Sequence, residues 1–165
     1  MADASGYDVF FARCNRSFRL KKSARASTSC VVVTGLDKRE SYKAYVRAWK
    51  KTGGKKTYIG EASPVVHAIT GGYDEKYCNT RSVTLNKTSL TLRVGRSRAI
   101  KASLEGVKRG KRPLQHVRKV RWYSSDSNVA TVDGNGKVRA VGKGRCTVWA
   151  IANNGVRASA KITVK

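Results

Sequence analysis

Hydrophobic and polar positions alternate with a period of two along most of this chain, the spacing that gives a β-strand one buried and one solvated face. Near the start, Tyr7, Val9 and Phe11 share one face of a predicted strand. Ser29 to Thr34 is a β-branched run ending at Gly35-Leu36 and predicts another. Ser41 to Trp49 alternates cleanly. Tyr42, Ala44, Val46 and Ala48 make a small apolar face, and Lys43, Tyr45, Arg47 and Trp49 make the opposite one. Thr52-Gly53-Gly54-Lys55 reads as a turn, and Lys56 to Ile69 as a strand broken at Ser63-Pro64.

The second half follows the same period. Val120 and Trp122 sit two apart, so they point to one face, and Trp122 is large enough to anchor a core. Ser124 to Asn128 is polar and reads as a turn. Val129 to Val132 is a short strand closed by Asp133-Gly134-Asn135-Gly136, residues that tolerate the positive φ a hairpin needs. Lys137 to Val141 returns, Gly142 and Gly144 interrupt, and Cys146, Val148 and Ala150 alternate on the next strand. The pattern predicts an antiparallel β unit without a helix.

This run resembles the bacterial immunoglobulin-like group 2 domain. The motifs that carry the likeness are Trp122, Ser124-Ser125, Val129-Ala130-Thr131-Val132, Gly136-Lys137-Val138-Arg139-Ala140 and Gly144. Ser82 to Gly95 looks like that family's opening strands, and Asn154-Gly155-Val156 with Ala160 to Lys165 like its last hairpin and strand. The likeness covers residues 82–165 and departs from the family at the basic insertion Val107 to Lys119, where the family is usually shorter.

Residues 6–70 resemble the C-terminal two-thirds of a fibronectin type III domain. Leu36, a polar turn and then Tyr42 match that fold's tyrosine corner, in which the phenol bonds back to the preceding backbone. Gly6-Tyr7-Asp8-Val9 resembles its third strand, Tyr42 to Ala48 its sixth, and Gly60 to Val65 the start of its seventh. Its first two strands have no counterpart here. The resemblance therefore implies an incomplete sandwich with an open edge at Ser29–Thr34, filled by another chain, the N-terminal tail or the neighbouring domain. The predicted fold class is all-β, two antiparallel Ig-like or fibronectin type III-like β-sandwich modules, the first lacking its N-terminal strands. The modules span 1–70 and 82–165 and are joined by a linker at 71–81. Tyr73 and Tyr77 are aromatic for a free linker and are read as packing between domains.

Charge changes the picture most. The net charge is +25, and it is uneven. Residues 1–80 carry fifteen Lys/Arg against seven Asp/Glu, and residues 81–165 carry twenty against three. Such a chain attracts polyanions at low salt: teichoic acids, anionic glycans, nucleic acid or acidic proteins. The insertion concentrates this charge in Lys108, Arg109, Lys111, Arg112, Arg118, Lys119 and Arg121 without an acid, and it is one candidate polyanion site. Gly110 and Pro113 place its first cluster on a loop with mobile side chains. The other reading is that lysines and arginines keep sheet edges and outer faces soluble. The stripe Lys43, Tyr45, Arg47 and Trp49 is a second candidate, a face for stacking a base or sugar ring beside cations. It serves equally as the cover of an outer sheet face.

Candidate chemistry is sparse. Cys14, Cys30, Cys78 and Cys146 include no Cys-x-x-Cys pair, and His67 and His116 lie far from any cysteine in sequence, so no metal site is predicted. Four cysteines allow three disulfide connectivities. Cys14 and Cys30 are the first candidates for a pair, Cys146 reads as a buried thiol, and Cys78 in the linker as a free one. Catalysis by a histidine would need a positioned partner, there is no phosphate-binding glycine loop, and the serines and aspartates of residues 124–133 serve turns. No catalytic residue and no cofactor are expected. No apolar run approaches the roughly 20 residues of a membrane helix. Met1-Ala2-Asp3-Ala4-Ser5 has no basic region followed by an apolar core, although the family resemblance implies export. The chain is accordingly read as an excised or processed fragment. The resemblances imply a non-enzymatic extracellular or cell-surface spacer or adhesion segment, meeting a host or cell-wall ligand and neighbouring domains of a larger parent. Polyanion binding, or service as an accessory module of a secreted hydrolase, stand as alternatives.

Overall fold

A computed structural model describes residues 3–114 and 120–165. The chain divides into two units, Met1–Glu75 and Lys76–Lys165. Both are built from strands, and among the described residues the sole helical element is a 3-10 turn at Thr70–Gly72.

The first unit is one twisted sheet of β1 (Gly6–Arg13), β2 (Arg19–Arg25), β3 (Ser41–Thr52), β4 (Lys55–Ile59) and β5 (Val66–Ile69). Its order is β2-β1-β3-β4, and β5 also pairs with β3. β4 and β5 both lie against β3 because the strand breaks between them, as Ser63-Pro64 predicts. Across the break, Val46 N–H donates to Ser63 Oγ at 2.9 Å and Ser63 N–H donates back to Val46 O at 2.8 Å, which keeps both backbones satisfied. Tyr42 is buried, its ring stacked on Phe11 at 5.1 Å. Its hydroxyl accepts the Asp37 N–H at 3.2 Å, so the bond expected from the Leu36–Tyr42 spacing is present. Asp37 also pairs with Arg13, which ties the same turn to β1. The outer strand β2 carries Arg19, Lys21, Lys22 and Arg25 and is almost wholly exposed, a charged edge that discourages further pairing.

The strand expected at Ser29–Thr34 does not form. These residues carry no ladder pairing, and Val32 is 71% exposed. β-branched side chains favour a strand only when a neighbouring strand supplies the hydrogen bonds and the cross-strand contacts. No such neighbour lies beside them among the described residues. The open edge expected there is therefore absent.

The second unit is a sandwich. Its strands are β6 (Tyr77–Cys78), β7 (Thr80–Leu85), β8 (Ser89–Leu92), β9 (Ser97–Ala99), β10 (Ala102–Gly106), β11 (Arg112–Pro113), β12 (Arg121–Ser124), β13 (Ala130–Val132), β14 (Lys137–Ala140), β15 (Gly144–Ile151) and β16 (Arg157–Val164). One sheet has the order β12-β15-β16-β8, and another β13-β14-β9, with the pairs β10-β7 and β11-β6 beside them. Inward strand positions and the β9–β10 connection form one core, in which Ile100, Val138, Val148, Ala150, Ala160 and Ile162 are at most 1% exposed. Trp122 packs against this core while keeping part of its surface accessible. The hairpin predicted at Asp133–Gly136 joins β13 to β14. There Asp133 Oδ1 accepts the N–H groups of Asn135 and Lys137 at 2.8 and 2.9 Å, and these bonds hold its carboxyl below the usual range.

One assignment from the sequence changes. Tyr77, Cys78, Thr80 and Arg81, read as linker, belong to β6 and β7, and Cys78 is 0% exposed. Gly106 approaches its sulfur so closely that a Cβ there would collide with it, and the carbonyls of Lys108 and Lys111 lie at 3.9 and 3.6 Å. Cys78 is thus a core thiol. Tyr73 lies under the Arg39 guanidinium within the first unit, and Tyr77 under the Lys76 ammonium within the second.

Candidate functional site

Strand alternation decides what each candidate side chain can reach. On β1 and β3, register sets Phe10 opposite Tyr45, Asp8 opposite Arg47 and Gly6 opposite Trp49. The stripe Lys43, Tyr45, Arg47 and Trp49 therefore shares its face with Asp8 and Phe10, and with Lys56 and Tyr58 from β4. Phe10 stacks on Tyr45 at 4.8 Å and 7°, and Phe18 meets Tyr45 edge-on at 4.6 Å. Lys43 lies over Phe18 at 4.5 Å, Arg47 over Tyr58 at 4.2 Å, and Lys56 over Trp49 at 4.7 Å. All four stripe residues are half-buried.

The centre of this face is Asp8, whose side chain is fully buried. Lys56 Nζ donates to both carboxylate oxygens at 2.7 and 2.6 Å, Ser23 Oγ donates at 2.7 Å and Tyr58 Oη at 2.8 Å. Burial alone would raise the Asp8 pKa, but the bonds from Lys56, Ser23 and Tyr58 and the Lys56 charge together bring it below its ordinary value. The same contact raises the Tyr58 phenol. The cations of this face are therefore engaged by its own aromatic rings and one carboxylate. Trp49 Nε1 and Arg47 Nε are buried without a hydrogen-bond partner among the described residues. The sequence reading found the stripe but not Asp8, Phe10, Lys56 and Tyr58. Asp8 and Phe10 could have been found from their phase opposite Tyr7, Val9 and Phe11.

Within the described part of the basic insertion, Lys108 to Lys111 lie in a turn and the residues after it are anchored. β11 pairs in parallel with β6, Leu114 N–H donates to Cys78 O at 2.8 Å, and Leu114 is only 4% exposed. Buried Asn153 donates its amide to Leu114 O at 2.7 Å. Lys108, Arg109 and Arg112 are exposed and Lys111 is half-buried. Arg118 and Lys119 lie outside the described residues. Arg121 starts β12, with its Nε and Nη1 buried and unpartnered among the described residues, and burial lowers its pKa. The structure thus puts the first cluster on a pinned turn and Arg121 on a sheet.

The cysteines are all free. Cys14 meets no cysteine; its sulfur lies 3.3 Å from His67 Nδ1, a contact the sequence separation hides. Burial raises the Cys14 thiol while Lys43 opposes this only in part, so the thiolate that a nucleophile or metal ligand requires is disfavoured. Cys146 is a buried core thiol, 8% exposed, as its strand phase predicts. Among the described residues no cluster of three His, Cys, Asp or Glu side chains has metal-binding geometry. No helix there is long and apolar enough to cross a membrane.

Comparison with known proteins bears on the second unit. A family model, bacterial Ig-like domain (group 2), matches residues 79–164. A lacto-N-biosidase of Bifidobacterium bifidum is 53% identical over 45 residues, which is 27% of this chain and 4% of that enzyme. Among solved structures, the chain is similar to an S-layer protein at 14% identity and a TM-score of 0.45, covering 96% of this chain and 20% of that one. It is also similar to a C-terminal intimin fragment, solved in complex with the intimin-binding domain of its translocated receptor. That match has 16% identity and a TM-score of 0.38, covering 97% of this chain and 52% of that one. The chain belongs, through residues 79–164, to the group 2 bacterial Ig-like domain family.

Proposed function

We propose that the chain is part of a larger extracellular or cell-surface protein in which the Ig-like module is a non-catalytic spacer. One observation carries this reading: β8 and β16 pair in parallel, Leu90 beside Ile162 and Leu92 beside Val164. Strand β8, which follows the entering strand β7, therefore runs the same way as the leaving strand. At the entry end the Asn154 side-chain amide donates to Thr80 O at 2.8 Å; at the other end Lys165 N–H donates to Leu92 O at 2.9 Å. The eight residues of β16 separate these points by about 25 Å at a strand's rise per residue. A module that takes in the chain at one end and releases it at the other adds length to whatever carries it.

The same pairing sets the β8–β16 hydrogen bonds across the line of pull, where all must shear together. Pulling a tandem array by its termini tests this. The expected result is a discrete unfolding event per module with a contour gain of about 270 Å, the extended length of its 86 or so residues less the folded separation of its ends. Gradual lengthening without discrete events would overturn the spacer reading.

We further propose that residues 6–70 are the sheet of a fibronectin type III-like module that carries its third strand onward. The sheet order β2-β1-β3-β4 with β5 on β3, and the Tyr42 hydroxyl on Asp37, support that reading. A second functional reading, accessory module of a secreted hydrolase, is favoured by the stretch shared with lacto-N-biosidase. A parent chain bearing a glycosidase domain would select it.

A further inference from the structure

The outer face of the β12-β15-β16-β8 sheet carries a feature that spacing does not use. Val120, Trp122, Val148 and Ala160 belong to the core, so alternation turns Arg121, Tyr123, Thr147, Trp149, Arg157 and Lys161 outward. Register sets Tyr123 opposite Trp149, and their rings lie 5.6 Å apart at 31°. Tyr123 is 57% exposed. The two rings form a continuous apolar patch without a gap between them.

Cations flank this patch on both sides. In the row beside it, Arg121 and Arg157 stand on either side of Ile151. On the other side, Ser125, Arg145, Thr147, Lys161 and Thr163 line an open groove of about 370 Å³ without a carboxylate. The Arg121 guanidinium has two buried nitrogens without an acceptor among the described residues. Arg121 as a whole is only partly buried, and its uncompensated charge attracts an anion to this face. The first unit offers a contrast, because Lys43, Arg47 and Lys56 already sit on their own rings.

We propose that this face binds an anionic polysaccharide, with a sugar ring stacked on Tyr123 and Trp149 and its acidic groups met by Arg121 on one side and Arg145 and Lys161 on the other. Strand spacing and rise place Arg121 and Lys161 on the order of 15 Å apart, so the site spans several sugar units. The hydroxyls of Thr147 and Thr163 suit the hydroxyl rim of a sugar ring, which a phosphodiester backbone lacks. The site goes beyond the spacer reading and does not depend on it: a module can pass the pulling test and fail this one.

The test is titration of the full chain with dextran sulfate and polygalacturonate, with neutral dextran and oligothymidylate alongside. The expected result is binding of at least one anionic polysaccharide and not of dextran. Tyr123→Ala should weaken that binding about tenfold, the order expected for one lost ring contact. Arg121→Gln should weaken it too, and Arg145→Gln with Lys161→Gln should flatten its salt dependence. Lys50→Gln with Lys51→Gln, exposed on the first unit, should leave the affinity nearly unchanged. Denaturant unfolding of each variant shows whether it is folded, and exposed Tyr123 is the substitution least able to disturb the core. Failure of both anionic polymers to bind overturns the proposal. So does equal loss from the Lys50 and Lys51 pair, or indifference to Tyr123→Ala in the folded variant. Tighter binding of oligothymidylate through Tyr123 overturns it in favour of a nucleic-acid site.

Discussion

The indole of Trp122 rests on the bare α-carbon of Gly136. A Cβ at Gly136 would stand 2.6 Å from Trp122 Cζ2 and would also collide with the Ile100 carbonyl, which lies beside it because Ile100 N–H donates to Gly136 O at 2.9 Å. The position has φ of +81°, so a side chain is opposed by the backbone as well as by space. The hairpin glycine and the core tryptophan are one device. It docks the β13–β14 turn against the start of β12.

Gly136→Ala should therefore destabilise the second unit by about 2–4 kcal/mol, combining the left-handed backbone penalty with overpacking. Trp122→Ala should cost about 3 kcal/mol, the low end for a tryptophan, because the ring keeps part of its surface accessible. The double variant should cost somewhat less than the sum, since removing the indole relieves its part of the collision while the Ile100 carbonyl and the backbone penalty remain. Denaturant unfolding of the four proteins measures all three values. Strict additivity would show that the contact is not what constrains Gly136.

Tyr42→Phe removes the hydroxyl that accepts the Asp37 N–H and keeps the ring stacked on Phe11. The expected cost is about 1 kcal/mol in the first unit, with no change in the second. Hydrogen exchange at the Asp37 amide should speed up in the same variant. An unchanged rate would show that the turn is held by other contacts.

Asp8 gives the first unit an acid sensitivity. Its folded pKa lies below its unfolded value of 3.8, so the stability it contributes is full above that value and is lost as the pH falls through the folded pKa. Stability of the first unit should decline from about pH 4 downward. Asp8→Asn should be less stable at neutral pH and should lose less on acidification. Parallel curves for the two proteins across pH 2–6 would place the sensitivity elsewhere.

Local chemistry was legible in the sequence where neighbours along the chain decide the outcome. Asp133 to Gly136 announce a hairpin because their own side chains and φ preferences build it, and Val120 with Trp122 share a face by phase alone. The Leu36–Tyr42 spacing gave the phenol's partner for the same reason. What stayed hidden depends on register between distant strands. Asp8 looks like an outward, solvated residue until β4 brings Lys56 and Tyr58 over it from 48 and 50 residues away. Cys78 looks like linker until the Arg112–Pro113 segment closes on it. Tyr123 and Trp149 become a pair only through the β12–β15 register. Ser29–Thr34 shows the converse, a strand-forming composition without a partner strand.

The spacer account depends on the ends of the Ig-like module lying far apart. Spin labels on cysteines introduced at Asn79 and Lys165, with Cys14 and Cys30 replaced by serine and the buried Cys78 and Cys146 left in place, measure that separation by pulsed electron resonance. The account predicts a single narrow distance of about 25–35 Å, set by the length of β16 and the reach of the labels. A distance below about 15 Å would place both ends on one side of the sandwich and contradict it.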